Sequence, residues 1–69
     1  MGRHQEADRL LARSLEASRK FGEAAEVWLR SGDRERALQV MESQGDFHRM
    51  GEVYQEAGEL EQAARAFTR

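Results

Sequence analysis

His48 and Glu52 are the two residues whose types and spacing come nearest to a chemical site. They lie four positions apart, and on a helix that spacing places an imidazole and a carboxylate on one face, where both can bind a metal ion. A closed zinc site needs further nitrogen or sulfur ligands, and the sequence has only one other histidine and no cysteine. We therefore expect a weak surface pair here, and neither a metal nor another cofactor.

The serines and glycines give no better sign of catalysis. No histidine stands in a pattern that indicates a base beside a serine nucleophile, at any of Ser14, Ser18, Ser31 and Ser43. The glycines occur singly, so the sequence has no glycine-rich loop of the kind that binds phosphate. Together these observations predict a protein that is not an enzyme.

Charge gives no sign of nucleic-acid binding. The chain has 11 Lys or Arg residues and 13 Asp or Glu residues, a net charge of −2 at pH 7, whereas a nucleic-acid-binding domain is usually basic. The basic residues are interleaved with acids, and three pairs have the spacing of an ion pair along a helix: Glu16 with Lys20, Glu26 with Arg30, and Glu61 with Arg65. The arginines are therefore expected to form solvated helix faces, with no nucleic acid as partner.

Length and hydropathy limit the remaining possibilities. A chain of 69 residues, 39% of them hydrophobic, can form one small domain. No apolar run approaches the ~20 residues of a membrane-spanning helix, and the N-terminus lacks the apolar segment of a signal peptide. These features predict a cytoplasmic protein that is not inserted in a membrane.

The sequence has a short internal period, marked by its glycines. Gly32, Gly45 and Gly58 follow one another at equal intervals of thirteen positions, and each is followed by an acid. A glycine ends a helix by adopting a left-handed conformation, and an acid at the next helix start can accept free backbone N–H groups. Each of these pairs therefore predicts that one helix stops and another begins.

Apolar residues follow the same period. One series has large side chains and consists of Leu15, Trp28, Met41, Tyr54 and Phe67; a second, four positions earlier, consists of Leu11, Ala24, Ala37, Met50 and Ala63. Positions four apart share one face of an α-helix, and no segment alternates as a strand would. The pattern predicts an all-α domain of five short antiparallel helices, at about 4–18, 20–31, 33–44, 46–57 and 59–68.

The first junction departs from this pattern. Arg19 occupies the place one period before Gly32, where a glycine is expected. Either Ser18 caps the second helix after a true turn, or the first two helices form one helix with a kink near Gly22.

Two units of the chain, 20–44 and 46–68, match each other at twice this period. The second contains, in order, Gly51, Tyr54, Gly58, Ala63 and Phe67, and the first contains a softened version of the same string, Ala25, Trp28, Gly32, Ala37 and Met41. This string resembles the tetratricopeptide repeat, with residues 4–18 as a degenerate extra helix in a single domain, 1–69. The family repeats every ~34 residues, so this chain, with its shorter two-helix unit, resembles a compressed variant. The resemblance implies a right-handed superhelix of helical hairpins, an α-solenoid fragment that serves as a scaffold for protein binding.

The same resemblance implies where a partner would bind. In the family the first helix of each hairpin lines a concave face, which here corresponds to Glu26, Leu29, Arg30, His48, Glu52, Gln55 and Glu56. The neighbouring acids at 52 and 56 suit a basic partner segment. The alternative is that these residues form an ordinary solvated helix face, with Leu29 in the core.

Both ends of such a stack are predicted to associate with other protein surfaces. Solenoids need polar caps at both ends, whereas the first and last helices here carry Leu11, Leu15, Leu60 and Phe67. We therefore expect association through these end faces, with neighbouring repeats or with a second copy in a homo-oligomer. The alternative function is purely structural: a spacer, an oligomerisation segment, or a designed or excised repeat without its own ligand.

Overall fold

The computed structural model describes the backbone of residues 2–69 and the side chains of residues 6–69. The backbone over that range forms five helices and no strand: α1 (Gly2–Ala17), α2 (Phe21–Arg30), α3 (Arg34–Ser43), α4 (Phe47–Glu56) and α5 (Leu60–Phe67). The bounds of each helix lie close to their predicted positions. The prediction of an all-α stack of five short helices is confirmed.

All four junctions are built in the same way. The backbone N–H groups of residues 20, 33, 46 and 59 donate to the carbonyl oxygens five positions earlier, at 2.8–2.9 Å. The accepting carbonyls belong to Leu15, Trp28, Met41 and Tyr54, so the large apolar series also marks the last turn of each helix. This bond is one half of the Schellman motif, and it turns the chain back on itself over a very short connection.

The first junction is therefore a true turn and not a kink, but the expected cap is wrong: Lys20 and not Ser18 occupies the N-cap position of α2, and its side chain makes no cap bond. Arg19 takes the left-handed conformation, with φ at 61°, where Gly32, Gly45 and Gly58 have φ of 90°, 71° and 78°. A left-handed conformation costs an L-residue about 1–2 kcal/mol. The repeated spacing and the packing of α1 on α2 hold Arg19 in that conformation although its side chain disfavours it.

Exchanging residue types at these turns should change stability in opposite directions. We expect Arg19→Gly to raise the free energy of unfolding by about 0.5–1 kcal/mol, because relief of strain exceeds the added entropy of the unfolded chain. Gly45→Ala is expected to lower it by about 1 kcal/mol; no atom lies within 4 Å of a Cβ built there, so the effect comes from the backbone alone. Urea unfolding followed by Trp28 fluorescence measures both, and a loss of stability in Arg19→Gly would contradict the strain.

The acids at the helix starts do not all cap their helices, although their equal spacing predicts that they do. Asp33 accepts a hydrogen bond from the Arg36 backbone N–H at 3.2 Å, as expected of a helix cap. The prediction is wrong for Asp46 and Glu59, whose side chains make no cap bond. Asp46 lies 3.8 Å from Arg49 Nε, and Glu59 pairs with Arg34, because each arginine offers a charged partner that competes with the helix end.

The core lies along the middle of the stack. Trp28 and Met41 are its largest fully buried side chains, at 1% and 2% exposure, and the other buried members of the core are Ala12, Ala25, Val27, Ala37, Val40, Met50 and Ala66. The helix backbones approach closely only between helices adjacent in sequence, and the α3–α4 pair is the loosest of these. The molecule is a flat slab of 35 × 26 × 12 Å.

Trp28 combines apolar burial with a satisfied polar group. Its indole Nε1 donates to Glu16 Oε2 at 2.7 Å, and the guanidinium of Arg36 lies 5.3 Å from the ring centroid. The hydrogen bond from the indole to Glu16 joins α1 to α2 and removes the energetic penalty of a buried, unpaired N–H.

Two of the three predicted ion pairs along single helices do not form. Glu61 and Arg65 pair at 3.1 Å as expected. Glu16 bonds instead to the indole of Trp28, while Glu26 bonds to Arg49 at 2.8 Å and Arg30 to Asp8 at 3.3 Å. The side chains thus connect different helices rather than successive turns of one helix.

Candidate functional site: the groove between α2 and α4

A groove of about 230 Å³ lies between α2 and α4. Its lining residues are Glu26, Leu29, Met41, Arg49, Glu52, Val53 and Glu56. Four residues predicted to contact a partner, Glu26, Leu29, Glu52 and Glu56, are therefore brought together at one place. The groove is referred to below as the α2–α4 groove.

The two-helix repeat explains why these side chains meet. Because Glu26 and Glu52 occupy equivalent positions on α2 and α4, an acid recurs on the same side of both helices. Leu29 and Val53 are half-buried and pack against the core. The groove therefore combines apolar side chains with the acids of α2 and α4.

Arg49 is the residue of this groove that the sequence did not reveal. Its Nη2 donates to Glu26 Oε1 at 2.8 Å, its Nη1 donates to the Gly22 carbonyl at 3.4 Å, and its Nε lies 3.8 Å from Asp46. The arginine thus ties α4 to α2 and neutralises Glu26. Its position in the sequence could have indicated this role. Arg49 lies one helical turn before Glu52, and Glu52 is the repeat equivalent of Glu26.

The remaining acids of the groove keep their charge available. Among the side chains that the structure describes, Glu56 has no ion pair. Glu52 has only one partner, His48, whose Nε2 lies 3.7 Å from Glu52 Oε2, and both side chains are highly exposed. With Glu26 held by Arg49, the free charge of the groove comes from Glu52 and Glu56.

Three predicted residues lie outside this groove. Arg30 turns towards α1 and bonds to Asp8, and the ring of His48 lies 5.4 Å from that of Phe67 on α5. Gln55 is exposed and does not line the groove. His48 and Glu52 form the surface pair expected of them, and no group of three or more potential metal ligands occurs within the described part of the chain.

Comparison with protein-family models, curated proteins and solved structures finds no match for this chain. The resemblance to the tetratricopeptide repeat therefore depends on the residues and spacings given above.

A second and larger cleft, of about 470 Å³, lies between α3, α4 and α5. It is lined by Glu42, Met50, Tyr54, Gln62, Arg65, Ala66, Thr68 and Arg69. Its charges are already paired: Arg69 bonds to Glu42 and Arg65 to Glu61, both at 3.1 Å. Although this cleft is larger, it offers no free charge, so the α2–α4 groove remains the stronger candidate site.

The predicted end-face residues are placed in two different ways. Leu11, Leu60 and Phe67 are 44%, 67% and 42% exposed, and Leu10, next to Leu11 on α1, is 68% exposed. Leu15, in contrast, is half-buried and packs against the core.

No helix in the described range is long and apolar enough to cross a membrane.

Proposed function

We propose that this chain is a non-enzymatic protein-interaction module, a compressed tetratricopeptide-like scaffold that binds a basic partner segment in the α2–α4 groove. The observation that carries the proposal is a pair of acids, Glu52 and Glu56, that have no arginine or lysine partner among the described side chains and lie beside the apolar residues Leu29 and Val53. A partner with one apolar side chain flanked by lysine or arginine fits both features.

The size of the groove supports a peptide rather than a small molecule. Pockets for small ligands typically occupy about 300–1,000 Å³ and enclose most of the ligand, whereas this open groove of about 230 Å³ takes one or two side chains. Exposed ion pairs contribute only about 0.2–1 kcal/mol each. We therefore expect modest affinity that weakens as the salt concentration rises.

A random dodecapeptide phage library, selected on the purified chain, tests this function. The expected result is enrichment of peptides that carry lysine or arginine around one apolar residue. Backbone amide shifts on addition of the best peptide should then concentrate at the groove, around Leu29, Val53 and Glu56.

Charge reversal in the groove should abolish most of this binding. We expect Glu52→Lys with Glu56→Lys to weaken the selected peptide at least tenfold, about 1.4 kcal/mol, because two attractions become repulsions. The matched control is Glu23→Lys with Glu35→Lys, which changes the net charge equally at exposed positions outside the groove. Isothermal calorimetry at low salt measures both, with circular dichroism to confirm folding.

The opposite result would favour the alternative function. If no peptide is enriched, or if the groove variant binds as tightly as its control, the chain has no ligand of this kind. It would then serve as a structural spacer or oligomerisation segment.

A further inference from the structure

Both ends of the stack expose positions that are buried inside it. Leu11 corresponds, one and two full repeats later, to Ala37 and Ala63, which are 0% and 3% exposed, yet Leu11 is 44% exposed. Phe67 corresponds likewise to Met41, which is 2% exposed, yet Phe67 is 42% exposed. Each end therefore presents a surface that another helix covers elsewhere in the same molecule.

Leu10 has no function in the internal packing. The equivalent positions on α3 and α5 hold Arg36 and Gln62, and both are exposed polar residues. A leucine that is 68% exposed at this position is therefore not needed to fold the stack. It adds apolar surface to the side of α1 that also carries Leu11.

The two ends differ in charge. On α1, Arg9, Arg13 and Glu6 surround Leu10 at a shallow depression, and neither arginine has an ion pair among the described side chains. At the other end, the repeat equivalent of Glu26 is Glu52, and Glu26 receives an arginine from the next helix but one. Glu52 receives no such arginine from the described residues.

We propose that these two ends bind each other between copies of the chain, head to tail. The α1 face of one copy (Arg9, Leu10, Leu11 and Arg13) packs on the α4–α5 end of the next (Glu52, Leu60 and Phe67). This contact joins the predicted end faces, and although it shares Glu52 with the α2–α4 groove, it does not require that a peptide binds there.

The head-to-tail arrangement follows from the charges of the two ends. The α1 face carries Arg9 and Arg13 and the α4–α5 end carries Glu52, so a contact between unlike ends brings opposite charges together. Pairing of two identical ends would bring two surfaces of like charge together and leave the other ends uncovered. Unlike faces give an open chain of copies rather than a closed dimer.

The contact is expected to be weak. A helix of 16 residues is about 24 Å long and 10 Å wide, so its face buries less than the ~1,200 Å² typical of stable interfaces. Association should therefore appear only at high protein concentration.

Two variants, each blocked at one end, test the arrangement. Leu10→Glu blocks the α1 face, and Leu60→Glu blocks the α4–α5 end; both leucines are highly exposed, so both variants should fold. Gln39→Glu, at an exposed position of α3, is the control of equal charge. Molar mass is measured by light scattering during size exclusion over a hundredfold range of concentration.

The expected results differ for each sample. The unmodified chain and Gln39→Glu should grow with concentration beyond two copies, whereas each blocked variant alone should stay at the monomer mass of 7.9 kDa. An equimolar mixture of the blocked variants should form a dimer and stop, because one pair of unlike ends remains.

Other outcomes would overturn the proposal. They are a chain that stays monomeric throughout, a blocked variant that pairs with itself, or a mixture that fails to associate. Dodecapeptide binding in the α2–α4 groove should be unchanged in both blocked variants, so failure of the peptide site can be told apart from failure of the head-to-tail contact.

Discussion

Replacement of Trp28 by alanine should remove a large part of the stability of the chain. The substitution removes the largest buried side chain, 1% exposed, and leaves the Glu16 carboxylate without its indole partner. Such a change costs about 3–5 kcal/mol. A domain of this length has a total stability of only about 3–10 kcal/mol, at about 0.05–0.15 kcal/mol per residue. Thermal unfolding followed by far-ultraviolet circular dichroism measures the loss.

Two controls separate the apolar contribution from the hydrogen bond. Trp28→Phe keeps a ring in the core but loses the bond to Glu16, and should cost less than the alanine variant. Tyr54→Ala truncates the equivalent aromatic residue of the next repeat, which is only half-buried, and should also cost less. If Trp28→Ala melts within a few degrees of the unmodified chain, the core does not depend on Trp28.

The period of one helix and its turn was sufficient to predict the all-α fold, because it marks the positions at which the backbone turns. At Arg19 the glycine is missing, yet the chain still turns there with a positive φ. The turn is determined by the helix lengths and by the burial of Leu15 and Trp28 on either side of it. A conformational cost of about 1–2 kcal/mol at one residue is smaller than the burial of several apolar side chains.

The partners of the charged side chains could not be predicted in the same way. Glu26 has Arg30 one helical turn away and Arg49 in a different helix, and it bonds to Arg49. A pair along a helix contributes only about 0.2–0.5 kcal/mol, so small differences in distance between packed helices decide which pair forms. Those distances are a property of the packing and not of the local sequence.

The candidate site was predicted in part for a related reason. The resemblance implied that Glu26 and Glu52 line one concave face, but the residues predicted for that face also included Arg30, His48 and Gln55, which do not line the groove. Interactions with the flanking helices take up some of that face, so Arg30 is directed to α1 and His48 lies against Phe67 of α5. Only the residues facing the α2–α4 groove remain together.

Gly51→Ala should destabilise the chain, although alanine is the better helix former. A Cβ built on Gly51 lies 2.6 Å from Phe67 Cδ1 and 2.7 Å from Phe67 Cζ, so the ring would have to leave its place on α4. Overpacking of this kind costs about 1–3 kcal/mol, which exceeds the gain of up to about 1 kcal/mol from helix propensity. We expect a lower midpoint of urea unfolding, measured by Trp28 fluorescence.

The same substitution at Gly22 provides a matched control. A Cβ there meets only the end of the flexible Arg49 side chain, at 3.3 Å, so Gly22→Ala should be neutral or stabilising. The sign should also reverse at Gly51 once the ring is gone: in a Phe67→Ala background, Gly51→Ala should stabilise the chain. If Gly51→Ala is equally harmful in both backgrounds, the phenyl ring is not the cause. A reversal would show that the absence of a side chain at Gly51 makes room for the ring of Phe67 on α4.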